Sequence, residues 1–278
     1  MRRLPLATIK RMTKSIKYHL VVILTLTLLL ANSGYGQDNS DQKLEYDHIL
    51  LFASDYALKD SLDRIFTPAE KLTTEHKSQG TIGYYYLFYN TYIELLFLQD
   101  TLNAKLNKVN FGSDYLSRWI QDESYCPVGF GMIVNPWDTI IENTDFHKYV
   151  SNDSRNDEYY LMSKYNSNLS QPLLYVSMPH RAYKPVKSLD EIDERPKEIR
   201  SDLKEYLTHE SQVKRITKII YSYSSENKDK GNMKILQKNS SIHIERSDSI
   251  SLTLVFDNER TKQKKLRLND HTKLIIKY

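Results

Sequence analysis

A single cysteine, Cys126, in 278 residues excludes any intramolecular disulfide, so an ordinary core must hold this chain together. No histidine lies near Cys126 in sequence and Pro127 follows it, which reads as a small buried residue before a turn rather than a nucleophile. Glycine is scarce, eight residues against 21 tyrosines, so each glycine asks for a local reason such as a turn or a close approach of strands. The G-x-S-x-G elbow, the P-loop, the G-x-G-x-x-G fingerprint and the C-x-x-C pair are all missing. With them go the usual sequence marks of serine-hydrolase, nucleotide-binding and thiol-redox chemistry. "HESQV" at His209 opens like a zincin helix but lacks the second His.

Acidic residues are absent from the first 36 positions, where Arg2, Arg3, Lys10, Arg11, Lys14 and Lys17 precede the apolar stretch "LVVILTLTLLLA". The small-residue pattern "NSGYG" and Gln37 come next, which is the layout of a signal peptide cleaved after Gly36. Its apolar core is well short of the roughly 20 residues that a spanning helix needs, and no cysteine at the cleavage point suggests a lipid anchor. The mature chain is therefore expected in the periplasm or outside the cell, with no membrane span. Removing those six basic side chains takes the formal charge from +4 to −2, so bulk charge excludes nucleic acid as a partner. Runs such as "RTKQKKLRL" read as solvated strand faces.

What is present is a repeated order of elements. Residues 37–43 read as a polar tether. "YDHILLFA" (46–53) reads as a strand, and "SDYALKDSLDRIF" as a helix capped by Ser54 or Asp55, with Ala57, Leu58, Leu62, Ile65 and Phe66 at helical spacing. "EKLTTEHK", "TIGYYYLFY" and "TYIELLFL" read as three more strands, with turns at Gly80 and Asn90. A helical connection runs to near Trp119. Then "GFGMIVNPWDT" can be laid on "DHILLFASDYA", and the order restarts with a helix-like segment to about Tyr149 and strands in "EYYLMSKY" and "PLLYVSMP". Such a repeat predicts two copies packed side by side, each burying what the other exposes. The charged "SLDEIDERPKEIR" marks a boundary. Beyond it come a helix in "EIRSDLKEYLTHE" and β-rich runs in "VKRITKIIYSY", "MKILQ", "SIHIER", "SISLTLVFD" and "TKLIIKY". The expected division is a signal peptide 1–36, a tether 37–43, a domain 44–188 with modules 44–100 and 127–180, and a C-terminal extension 189–278.

Two residues in apolar runs carry the chemistry. Alternate residues of a strand share a face, which puts His48 with Leu50 and Phe52, and Glu94 with Tyr92, Leu96 and Leu98. A buried ionised carboxylate needs a cation, a hydrogen-bond network or a metal, and His48 is the candidate partner. The two are expected within side-chain reach. Three readings stay open: bonding to each other or to the hydroxyls of Tyr84, Tyr86 and Tyr92 in a partly wet cavity, recognition of a polar group on a ligand, or a share in a divalent metal.

"YDHILLFASD", then Gly80 and Thr81, then "NTYIELL", together resemble the glyoxalase-like branch of the vicinal oxygen chelate superfamily, including exported members of unknown function. The resemblance covers about residues 44–188, and the tail is similar to that of some members. It implies an α+β fold, with paired βαβββ modules curled around a ligand cavity and a C-terminal β-rich α+β extension. In metal-using members each module gives one ligand from its first strand and one from its last. His48 and Glu94 match these positions in the first module. In the second, Phe130 stands at the place of His48 and Tyr175 or Val176 at that of Glu94, so half the ligand set is missing; His147 and His180 lie nearby in sequence but off the strand positions. The resemblance thus implies either no cofactor or one divalent metal ion on His48 and Glu94. It sets no oligomeric state. The expected function is an exported protein that binds a small molecule in a glyoxalase-like cavity without a complete metal site, through His48, Glu94, Tyr84, Tyr86 and Tyr92. The alternatives are a metal-dependent lyase, isomerase or dioxygenase, in which the metal polarises vicinal oxygens of the substrate, and a surface interaction module using the C-terminal sheet.

Overall fold

Strand β1, Lys43–Ala53, ends in a run of residues buried on both faces, and a strand apolar on both sides belongs in the middle of a sheet. The computed structural model describes residues 43–111, 114–119, 125–135, 145–150, 159–223, 230–257 and 262–278. The expected signal peptide and nearly all of the tether lie outside these residues, while Lys43 already belongs to β1. Among the described residues no helix is long and apolar enough to cross a membrane.

Helix α1, Tyr56–Asp63, follows β1 directly, and Asp55 is its cap, accepting the Ala57 N–H at 2.9 Å. Strands β2 (Thr74–His76), β3 (Thr81–Leu87) and β4 (Tyr92–Leu98) come next, then helix α2 (Thr101–Phe111). The second half contributes β5 (Val128–Asn135), β6 (Phe146–Tyr149), β7 (Tyr160–Ser163) and β8 (Leu173–Val176). These eight strands form one sheet in the order β2-β3-β4-β1-β5-β8-β7-β6. Its pairing is the same read outward from the centre. β1 and β5 are antiparallel to each other; each has a parallel partner, β4 or β8, and beyond that partner the pairs are antiparallel.

The remaining elements are α3 (Lys197–Tyr206), β9 (Ile216–Tyr223), α4 (Gly231–Leu236), β10 (Ile242–Arg246), β11 (Ile250–Phe256), β12 (Gln263–Arg267) and β13 (Thr272–Lys277). Their five strands make a second mixed sheet, β10-β9-β11-β13-β12. The fold is thus mixed α+β, with two mixed sheets and few helices among the described residues.

The two sheets share a core. Ile49, Leu51, Ile93, Leu95, Phe130 and Val176 from one face of the large sheet cluster with Ile219, Tyr221, Leu252, Leu254 and Leu274 of the small one, and with Leu58 and Leu62 of α1. Each such fully buried side chain contributes about 1.5–3 kcal/mol relative to exposure. The opposite face of the large sheet carries Leu50, Phe52, Leu96 and Leu173, packed with Tyr115 and Trp119, and it holds the cavity described below.

Three local expectations fail. "MKILQ" is not a strand: Met233, Ile235 and Leu236 are buried on α4, since three apolar residues within four positions suit a helix face as well as a strand. The segment read as helical up to Tyr149 ends in β6, with residues 136–144 outside the described part. "EKLTTEHK" pairs only over Thr74–His76, between two short 3-10 turns.

His209 is structural. Its Nδ1 accepts the Thr67 N–H at 3.0 Å and its Nε2–H donates to the Leu87 carbonyl at 2.9 Å, between the rings of Phe66 and Phe88. Burial pushes its pKa from 6.5 down to about 4. The unfolded chain therefore takes up a proton near pH 6.5 that the folded chain refuses until about pH 4. Stability falls as pH drops through that window, by up to about 3 kcal/mol. In urea titrations His209→Gln should be less stable than the parent at pH 7 and should lose less on acidification to pH 4. Equal pH slopes for the two proteins would contradict the assignment.

Candidate functional site

Strict alternation would turn Asp47 and His48 to opposite faces of β1. The register against β5 slips there: Tyr46 pairs with Met132 and His48 with Gly131, leaving Asp47 as the extra residue of a β-bulge. The bulge lets the two side chains meet. His48 Nδ1–H donates to Asp47 Oδ2 at 2.7 Å, while Asp47 Oδ1 accepts the Tyr183 backbone N–H at 2.7 Å. Asp47 is 4% exposed and His48 2%. The imidazole stacks on Tyr92, with centroids 4.3 Å apart and planes at 11°, and its Nε2 lies 2.5 Å from the Tyr175 hydroxyl. Burial holds the Tyr175 phenol well above its ordinary pKa, so that hydroxyl keeps its proton and donates to Nε2.

Glycine makes the room. A Cβ on Gly131 would overlap His48 Cε1 and lie 2.6 Å from Nδ1. Gly83 does the same for the acid, since a Cβ there would lie 2.8 Å from Glu94 Oε1. Both residues therefore answer the question that scarce glycines raise, by admitting a polar side chain above the sheet.

Glu94 comes from β4, where its register partner is Leu50 of β1. Its Oε2 lies 3.8 Å from His48 Nε2, so the structure brings the two expected residues together. Oε1 accepts the Tyr85 hydroxyl at 3.2 Å and lies 3.7 Å from His76 Nε2, while His76 Nδ1 is 3.1 Å from the Thr81 hydroxyl. These groups line a cavity of about 150 Å³ walled by Tyr85, Tyr92, Tyr115, Tyr149, Tyr160 and Tyr175, with Arg181 at its edge. Burial, reinforced by the negative charge of Glu94, pushes the Tyr160 phenol up to about 12 and raises those of Tyr85, Tyr92 and Tyr115. The walls therefore present protonated hydroxyls at neutral pH.

Not all expected residues arrive. Tyr84 and Tyr86 flank Tyr85, the residue paired with Glu94, and so project from the other face of the sheet. Tyr86 is fully buried in the main core and donates to Asp63 Oδ1 at 2.7 Å; Tyr84 stands edge-on to Phe97, 5.6 Å between centroids. Phe130 is likewise a core residue, paired with Ile49, and Gly131 takes the position across from His48. His147 and His180 do not line the cavity. The residues that sequence reasoning missed include Asp47, His76, Tyr85, Tyr115, Tyr149, Tyr160 and Arg181. Tyr85 had a usable signal: with the turn at Asn90, Leu87 lies opposite Tyr92 and hence Tyr85 opposite Glu94. Asp47 had none, because a bulge leaves no mark on alternation.

The donor set is a poor fit to a metal. Zinc takes three or four protein ligands at about 2.0–2.3 Å. Among the described residues no group of three or more His, Cys, Asp or Glu side chains is arranged to hold an ion, and the His48 Nε2 lone pair already accepts the Tyr175 hydroxyl.

No protein-family model matches this chain, and no curated protein does. The crystal structure of a hypothetical protein from Staphylococcus aureus is similar, with a TM-score of 0.51 and 12% identity over 84% of this chain and 98% of that one. At that identity the likeness shows the general α+β fold alone.

Gly131→Ala tests the packing around His48. The added methyl should cost about 1–3 kcal/mol in urea unfolding, because backbone and ring must part to admit it. A substitution without cost would mean that the imidazole does not lie over Gly131.

Proposed function

We propose that this chain is an exported small-ligand-binding protein of the vicinal-oxygen-chelate type, delivered by the leader 1–36. In this reading its large sheet is a pair of βαβββ modules, 44–100 and 127–180, joined at β1 and β5. The mirrored pairing on either side of that junction supports it, as does α1 between β1 and β2 in the first half.

One observation carries the reading. His48 and Glu94, 2% and 6% exposed, direct Nε2 and Oε2 to within 3.8 Å of each other on the wall of a 150 Å³ cavity. A space of that size accommodates a molecule of about one six-membered ring. Asp47 and Tyr175 fix the imidazole plane, so the site is set before a ligand arrives. The polar group of the ligand meets Glu94, which the fixed imidazole of His48 flanks, and its body meets the tyrosines.

A screen of small polar metabolites by ligand-observed NMR should return binders whose signals are lost in the double variant His48→Ala/Glu94→Gln. Binders that persist in a folded double variant would place the ligand elsewhere. Metal analysis separates the metalloenzyme alternative: stoichiometric divalent metal in the purified protein, absent from His48→Ala, would overturn the metal-free reading.

A further inference from the structure

The class of ligand follows from what surrounds Glu94. Its side chain is 8% exposed, and among the described residues its ion-pair partners are two imidazoles, His48 at 3.8 Å and His76 at 3.7 Å. Neither bond is tight. His48 spends its Nδ1–H on a second carboxylate, Asp47, and His76 is held by Thr81. The cavity wall thus carries one buried acid, Glu94, against imidazoles that are shared or distant. Burial raises the phenols of Tyr85, Tyr92, Tyr115, Tyr160 and Tyr175, and the negative charge of Glu94 adds to each as a smaller cause.

The walls suit a positive charge as well. Ring faces and edges meet around the cavity: Tyr85 lies 5.9 Å from Tyr92, and Tyr160 lies 5.5 Å from Tyr175. Arg181 also lines the cavity, and its charge is engaged at the Tyr160 hydroxyl, to which the guanidinium donates at 2.5 Å. Aromatic rings attract cations through the negative potential of their faces, and a desolvated site strengthens that attraction.

We propose that the cavity takes a small organic cation, an alkylated ammonium whose charge meets the Glu94 carboxylate and whose carbon body meets the tyrosine rings. This rests on the ligand-cavity reading above and narrows it. Buried carboxylate, aromatic wall and one-ring volume act together. The carboxylate alone would accept any hydrogen-bond donor, and the rings alone any apolar body.

Tetramethylammonium is the probe, with tert-butanol as a neutral molecule of similar shape and acetate as an anion, each titrated into the purified protein by calorimetry and NMR. Tetramethylammonium should bind saturably and about tenfold or more tighter than tert-butanol. Glu94→Gln keeps the shape of the side chain and should lose about tenfold toward tetramethylammonium and clearly less toward tert-butanol. Equal affinities for the cation and the alcohol in the parent protein would overturn the proposal without recourse to any variant, as would tighter binding of acetate. If the metabolite screen finds neutral or anionic binders that depend on His48 and Glu94 while tetramethylammonium gives no saturable response, the cation class falls and the ligand cavity stands.

Discussion

The site depends on one irregularity, the slip of register between Tyr46 and His48. Without the extra residue, Asp47 would point into the main core, where Ile49 and Leu51 lie, and its carboxylate would face hydrocarbon. With it, Asp47 turns beside His48, and each group answers the other. On the β4 side of β1 the Asp47 carbonyl accepts the Thr91 hydroxyl at 2.6 Å. Thr91 stands at the start of the hairpin strand that carries Glu94. The irregularity is thereby tied to the second half of the site through a single buried hydrogen bond.

Much of this was legible in the residues, and the failures have causes. Period-two alternation places Glu94, Tyr92 and Leu96 on one face of β4 correctly, because that strand is regular and paired on both sides. The same rule applied to "TIGYYYLFY" gives the right period but no absolute phase. Three consecutive tyrosines look alike from either side, and only the pairing across the Asn90 turn selects Tyr85. Asp47 was hidden for the opposite reason: its strand looks regular, and the interruption shows only against β5. His76 belongs to a strand of three residues, too short for any periodic signal.

The C-terminal residues have a physical task that their sequence alone does not state. The large sheet is apolar on both faces at its centre, so each face needs a cover. On the cavity side the cover is light, consisting of tyrosines, Trp119 and open space. On the other side α1 and the second sheet supply it, with Tyr221, Leu252, Leu254 and Phe256 packed in one continuous cluster with Ile49 and Phe130. The tail therefore carries the hydrophobic stabilisation that the cavity side forgoes. Cys126 fits the same scheme, buried against the Tyr221 hydroxyl at 3.2 Å, with its thiol pKa raised by burial.

A leucine at position 94 would extend the run from Ile93 to Phe97 and close the cavity with hydrocarbon. A buried ion pair is weak evidence for stability, because the cost of desolvating the charges offsets their attraction. Nor does its surroundings suggest a structural ion pair, since no Lys or Arg among the described residues reaches it and its hydrogen bond from Tyr85, at 3.2 Å, is long for an O–H donor to a carboxylate. Gly83 and Gly131 add to the cost, because each gives up side-chain contacts on a central strand to leave space above the sheet. Glu94 and the two glycines that make room for it and for His48 converge on one 150 Å³ hollow. Polar and side-chain-free positions that coincide in space, rather than scatter, support the ligand-cavity reading proposed above.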